Sequence, residues 1–212
     1  KVWEGDTDYA HLTRPDSITI NVIASGVIVA TTDVTADEEG NWSWKIAELP
    51  KFDKNNTPIA YSIEEVKVNG YTTSTAVANG VYTITNKLDT VDKNGGKIWA
   101  KDSDNKYETR PESITIYAMN GSTIVDTTTT NAKADWQWNF TGLPKFNKDG
   151  TEIAYTFEEE PVPGYTTTKD GNNFVNTLKT VDVDVEKVWD DENNLEGFRP
   201  ATIELTLIKT VG

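Results

Sequence analysis

Three lysines stand two residues before a tryptophan: Lys1 before Trp3, Lys97 before Trp99 and Lys187 before Trp189. An Arg-Pro follows each, at Arg14-Pro15, Arg110-Pro111 and Arg199-Pro200. The first two lysines have companions later in the chain. Glu65 closes "YSIEE" and Glu159 closes "YTFEE", while Asn86 ends "VYTITN" and Asn176 lies in "NNFVNT". An amine, a carboxyl group and a carboxamide thus recur as a set. Strand periodicity puts residues i and i+2 on one face. Lys1 therefore points with Trp3, Glu65 with Tyr61 and Ile63, and Asn86 with Tyr82 and Ile84. Lys97 points with Trp99, Glu159 with Tyr155 and Phe157, and Asn176 with Phe174. With the apolar members facing a core, each set buries a lysine, a glutamate and an asparagine. Lone buried charges are costly, so such groups pair or neutralise. An apolar pocket lowers a lysine's pKa and raises a glutamate's, leaving a nucleophilic amine and a proton-donating acid. The same residues also fit an ordinary hydrogen-bonded cluster, or lysines that snorkel to the surface.

The elements that must hold these groups recur as well. "LPKFDKNNTPIAYSIEE" from Leu49 matches "LPKFNKDGTEIAYTFEE" from Leu143, and Trp42 and Trp44 match Trp136 and Trp138. The repeats divide the chain into units over 1–90 and 91–180, with a third, incomplete unit over 181–212. "SITINVIA" and "SITIYAM" alternate apolar and polar residues, as half-buried strands do. "NWSWKI" and "DWQWNF" read as strands with both tryptophans on one face. About seven short strands per unit, punctuated by turn residues, predict an all-β fold of tandem Ig-like β-sandwiches. No stretch carries a sustained helical period. The junctions "KLDTVDKNGG" and "LKTVDVDVE" read as strand running into strand. The stretch from Tyr71 to Asn86 differs in length from that between Tyr165 and Asn176 by an even number, so the asparagine keeps its face.

The 212 residues carry 20 Lys and Arg against 34 Asp and Glu, a net charge of −14. That balance argues against nucleic acid and anionic membranes as partners. Cysteine is absent, so no disulfide or thiolate metal site is available. No apolar run approaches a membrane span and nothing reads as a signal peptide. The chain opens inside a motif and reads as a window on a longer protein.

The ordered pattern K-[VI]-W, RP-x-[ST]-I, W-x-W, LPKF, Y-x-[IF]-x-E and N resembles the Cna protein B-type domain, found as stalk repeats of Gram-positive surface adhesins and pilins. It occurs twice in full, and its opening third occurs again from Lys187. The resemblance implies inverse-Ig sandwiches and an intramolecular isopeptide bond in each complete unit. It pairs Lys1 with Asn86, assisted by Glu65, and Lys97 with Asn176, assisted by Glu159, each glutamate acting as proton shuttle. Lys187 would be left without a partner inside the sequence. Such a crosslink is a single autocatalytic turnover and no enzyme activity. It would occupy the place a disulfide holds elsewhere. The resemblance further implies a stalk or spacer of a bacterial cell-surface adhesin or pilin-like protein, wall-anchored through regions outside this chain. A host matrix protein or glycan would be bound by other regions of that protein. The competing reading is a binding module whose own face recognises a host protein or glycan.

Other candidates read as structural. The seven tryptophans recur at matching positions, which favours core packing over sugar stacking. The arginines of the Arg-Pro pairs sit at strand entrances. The acidic loops Asp102–Glu108 and Asp190–Gly197 lack the spacing of an EF-hand, so solvated loops are the default over calcium sites. His11 has no partner in view. No cofactor is expected.

Overall fold

The computed structural model describes residues 1–208. In the first repeat the strands are Val2–Glu4 (β1), Ser17–Ala24 (β2), Val27–Thr35 (β3), Tyr61–Glu65 (β4), Tyr71–Ala78 (β5) and Val81–Leu88 (β6). Alternation along β2 buries Ile18, Ile20 and Val22. β2 pairs antiparallel with β3 on one side and β4 on the other. The second sheet has the order β1-β6-β5, with β1 parallel to β6. That parallel pairing brings the first strand of the repeat beside its last.

The second repeat has Thr90–Ala100 (β7), Ser113–Asn120 (β8), Thr123–Asn131 (β9), Gln137–Pro144 (β10), Thr156–Glu159 (β11), Tyr165–Asp170 (β12) and Asn173–Leu178 (β13). One sheet runs β11-β8-β9 and the other β10-β7-β13-β12. β7 lies parallel to β13, as β1 does to β6. The fold is all-β, in tandem Ig-like sandwiches, as expected from the strand pattern. Among the described residues helical backbone is confined to short turns, Ala10–Thr13 (α1) and the 3-10 turns Ser103–Asn105 and Ala132–Ala134.

Tryptophan edges organise both cores. Trp3 packs edge-on against Trp42 and Tyr71, and Trp99 does the same with Trp136 and Tyr165. The two repeats meet without slack. Only Asp89 separates β6 from β7, its N–H donates to Gly70 O and its carbonyl accepts from Lys145 N, both at 2.9 Å. Tyr9 reaches across to Asp126 Oδ2 at 2.8 Å.

Three expectations need correction. "NWSWKI" forms no strand, so the first repeat has six strands among the described residues where the second has seven. In the second repeat, Gln137–Trp138 pairs with Gly96–Gly95, just ahead of Lys97. In the first repeat no described segment pairs with "NWSWKI". A strand without a neighbour has no ladder to satisfy its backbone. The junction "LKTVDVDVE" does not run on as strand either, and "ATIELTLI" forms none. Thr180–Lys187 is the ungapped counterpart of Thr90–Lys97, and its pairing partner would be a W-x-W segment that the third unit does not contain. Two strands alone are marginal in water. Residues 180–208 carry turns and bends but no strand or helix. Val181, Val183 and Val185 are exposed there.

Candidate functional site

Each complete repeat gathers its lysine, glutamate and asparagine between the two sheets. The residue just ahead of β1 and the strand β7 supply the lysines, β4 and β11 the acids, β6 and β13 the asparagines. Trp3 is the register partner of Asn86, and Trp99 of Asn176, so the lysine two residues earlier looks along the same face toward the carboxamide. Asn86 and Asn176 are both fully buried. The Lys1 and Glu65 side chains are completely shielded from solvent, with Nζ and Oε1 at 2.8 Å. That contact is an ion pair lacking hydrogen-bonding angles. In the second repeat Lys97 Nζ lies 3.4 Å from Glu159 Oε1, again with both side chains buried. Asn176 Nδ2 donates to Glu159 Oε1 at 3.2 Å, and Lys97 Nζ donates to Phe174 O at 3.4 Å. The tryptophan two residues on covers each amine, at 4.5 Å from Nζ to ring centre for Lys1 and 4.7 Å for Lys97.

Burial drives the electrostatics. It lowers Lys97 to about 8, against the opposing pull of the Glu159 charge. Lys1 is lowered for the same reason, opposed by Glu65. Burial raises Glu159, and its contacts with Lys97 only partly offset this. In the second repeat burial thus works toward the neutral form of both partners. The groups held here are of the types amide exchange uses: an amine, a carboxyl group and a carboxamide. Seven buried side-chain polar atoms lack a hydrogen-bond partner among the described residues, and four belong to these sites: Lys1 Nζ, Glu65 Oε1, Asn86 Nδ2 and Asn176 Oδ1. The adjacent acids Glu64 and Glu158 face solvent.

Lys187 has different surroundings. Its Nζ donates to Val188 O at 2.8 Å, on an exposed stretch, and lies 4.3 Å from the Trp189 ring centre.

The sequence reading placed Arg14 and Arg110 correctly at strand entrances, whereas no strand follows Arg199 among the described residues, and it missed the partners of all three. Arg14 grips Asp6 with two hydrogen bonds of 2.7 Å, and Tyr71 OH donates to the same carboxylate at 2.7 Å. Burial works to raise Asp6, but Arg14 and Tyr71 outweigh it and hold the carboxyl below its usual range. Arg110 grips Asp102 in the same way, with Tyr165 OH donating to Oδ2 at 3.0 Å. Arg199 holds Asp191, with Nε at 2.8 Å. The signal was the fixed Asp-to-Arg spacing of eight residues. The acidic loops considered for calcium thus spend Asp102 and Asp191 on arginine. No cluster of metal-ligating side chains occurs among the described residues, and no helix is long and apolar enough to cross a membrane.

The model of the Cna protein B-type domain family matches residues 1–87, 94–177 and 183–211. A collagen adhesin of Staphylococcus aureus is 36% identical over 98% of this chain, which spans 18% of that protein's length. Among solved structures, two B repeat units of the S. aureus collagen-binding protein share 29% identity, covering 93% of this chain and 53% of theirs, at a TM-score of 0.46. A single B repeat unit of the same protein shares 33% identity, covering 84% of this chain and 95% of its own, at a TM-score of 0.39.

Proposed function

Because the chain belongs to the Cna protein B-type domain family, we propose that it is a stalk segment of a bacterial surface adhesin, locked by two internal isopeptide bonds. The observation that carries this reading is the duplicated burial of a lysine–glutamate pair beside a buried asparagine on the neighbouring last strand, with the asparagine in contact with the acid in the second repeat. In each repeat the lysine Nζ attacks the asparagine Cγ. The Nζ–Cγ bond forms, the Cγ–Nδ2 bond breaks, and one amine proton passes through the glutamate to the departing ammonia. The product is a neutral amide, so it removes a buried ion pair and joins the first strand of a repeat to its last. Pulling on the ends of such a repeat loads the crosslink before it can unzip the sheets. The single-residue joint at Asp89 suits a spacer that must stay extended. On this reading Lys187 bonds no residue of this sequence. Wall attachment and the binding of a matrix protein such as collagen belong to other regions of the full protein.

Intact mass tests the proposal. The folded chain should be lighter than its sequence by two ammonia molecules, with peptide mapping locating the bonds at Lys1–Asn86 and Lys97–Asn176. A mass equal to that of the sequence would refute both bonds.

A further inference from the structure

A threonine faces each reactive asparagine across the sheet. Thr73 is the antiparallel register partner of Asn86, and Thr167 of Asn176. Both lie two residues after the tyrosine that binds the Asp–Arg pair, in "YTT". Their strands are edges, and from Thr72 and Thr166 onward the residues of both are exposed. Yet both hydroxyls turn back toward the buried acids. Thr73 Oγ1 lies 2.9 Å from Asn86 Oδ1 and 3.2 Å from Glu65 Oε2. Thr167 Oγ1 lies 3.3 Å from Glu159 Oε2.

Resting on the crosslink reading above, we infer that Thr73 and Thr167 are a fourth member of each site: both position the acid, and Thr73 also polarises the carboxamide. A hydroxyl has one proton to give and can also accept. Thr73 cannot donate to Asn86 and Glu65 together. Its single proton goes to Asn86 Oδ1 or to Glu65 Oε2, so one hydroxyl can steady the acid and polarise the carbonyl in turn. As Nζ closes on Cγ, negative charge grows on Oδ1, where the Thr73 O–H already points. Glu65 Oε1, on the other side of the carboxyl, faces Lys1 and takes its proton on the way to Nδ2. The second repeat shows the complementary contacts: Thr167 holds the outer oxygen of Glu159, while the inner oxygen accepts from the Asn176 amide that will leave. Together the two sites display the contacts for carbonyl polarisation and for ammonia departure.

The test follows crosslinking in the full chain after a pulse of cell-free synthesis, reading intact mass against time and assigning each bond by peptide mapping. Thr73→Val keeps the β-branched shape and removes the hydroxyl. It should slow the Lys1–Asn86 bond about tenfold or more, within the range for a lost proton-transfer or oxyanion contact. The Lys97–Asn176 bond in the same molecules should form at the wild-type rate, showing that the chain folds. Thr73→Ser should restore the rate to within about twofold of wild type. Thr167→Val should reverse the pattern between repeats. A valine variant that crosslinks as fast as wild type overturns the inference while leaving the crosslink reading intact. Equal slowing by serine and valine also overturns it, since that would trace to packing. A wild-type chain that loses no ammonia removes the crosslink reading and this inference with it.

Discussion

The two complete repeats share their motifs but not their strands. In the second, "DWQWNF" supplies β10, laid on Thr90–Gly96 of β7. In the first, "NWSWKI" has the same tryptophans and no strand. One link survives in both: the backbone nitrogen of Lys1 donates to Trp42 O at 3.1 Å, and that of Lys97 to Trp136 O at 2.8 Å. Beyond that link the second repeat continues into a ladder and the first opens into a cleft of about 480 Å³ beside Trp42, Trp44, Tyr61 and Val81. Trp138 is 2% exposed, whereas its counterpart Trp44 is only partly buried. The difference lies in the partner, since a strand is a property of a pair. The glycines of β7 make that partnership possible. A Cβ on Gly95 would sit 2.3 Å from Asn172 O and 2.4 Å from the Trp138 ring.

This contrast can be broken by removing the crosslinks one at a time. Glu159→Ala should leave the second repeat folded but without its bond, and Glu65→Ala should do the same to the first. The lost constraint is worth about 4 kcal/mol in each, since the two closed loops are similar in length. Calorimetry of the paired variants should show a lowered transition in the altered repeat only. Persistence of the Lys97–Asn176 bond in Glu159→Ala would show that the acid has no part in its formation.

Next in size is the tryptophan contrast. Trp138→Ala empties a closed core site and should cost about 3–4 kcal/mol. Trp44→Ala, at a position already half open, should cost about 1 kcal/mol. Similar losses in urea titrations of the two variants would mean the first repeat is as tightly closed as the second.

Gly95→Ala sharpens the same point. Its new methyl meets backbone oxygen and a packed indole, so the chain must shift, at a cost of about 2 kcal/mol. The damage should appear as lost amide protection along β10 and β7, with β11-β8-β9 unaffected.

The contrast also has a pH dependence. In Asn176→Ala no bond can form, and Lys97 remains a buried amine lowered to about 8 from an ordinary 10.5. Between these values the unfolded chain binds the proton and the folded chain does not, so stability rises with pH across that window. Below about 8 both states are protonated and the burial penalty stands in full. Chemical denaturation at a series of pH values should show this rise; a flat profile would mean that Lys97 reaches solvent.

Much of the candidate site could be read from residue types and period. Lys1, Glu65, Asn86 and their counterparts each share a strand face with aromatic or aliphatic neighbours, and a period of two needs no knowledge of partners. Tandem units and an all-β fold were equally visible, because the repeated strands are short, alternating and bounded by turns. What stayed hidden depends on pairing. Thr73 and Thr167 look like ordinary edge-strand threonines until register sets them opposite the asparagines. Asp6 and Arg14 are eight residues apart and meet only because α1 folds the loop between them. The fates of "NWSWKI" and "TVDVDVE" were decided the same way. Their sequences favour extended backbone, but a strand exists only where another chain segment satisfies its N–H and C=O groups. Local pattern fixes which face a side chain would take; tertiary structure alone decides whether there is a sheet for it to belong to.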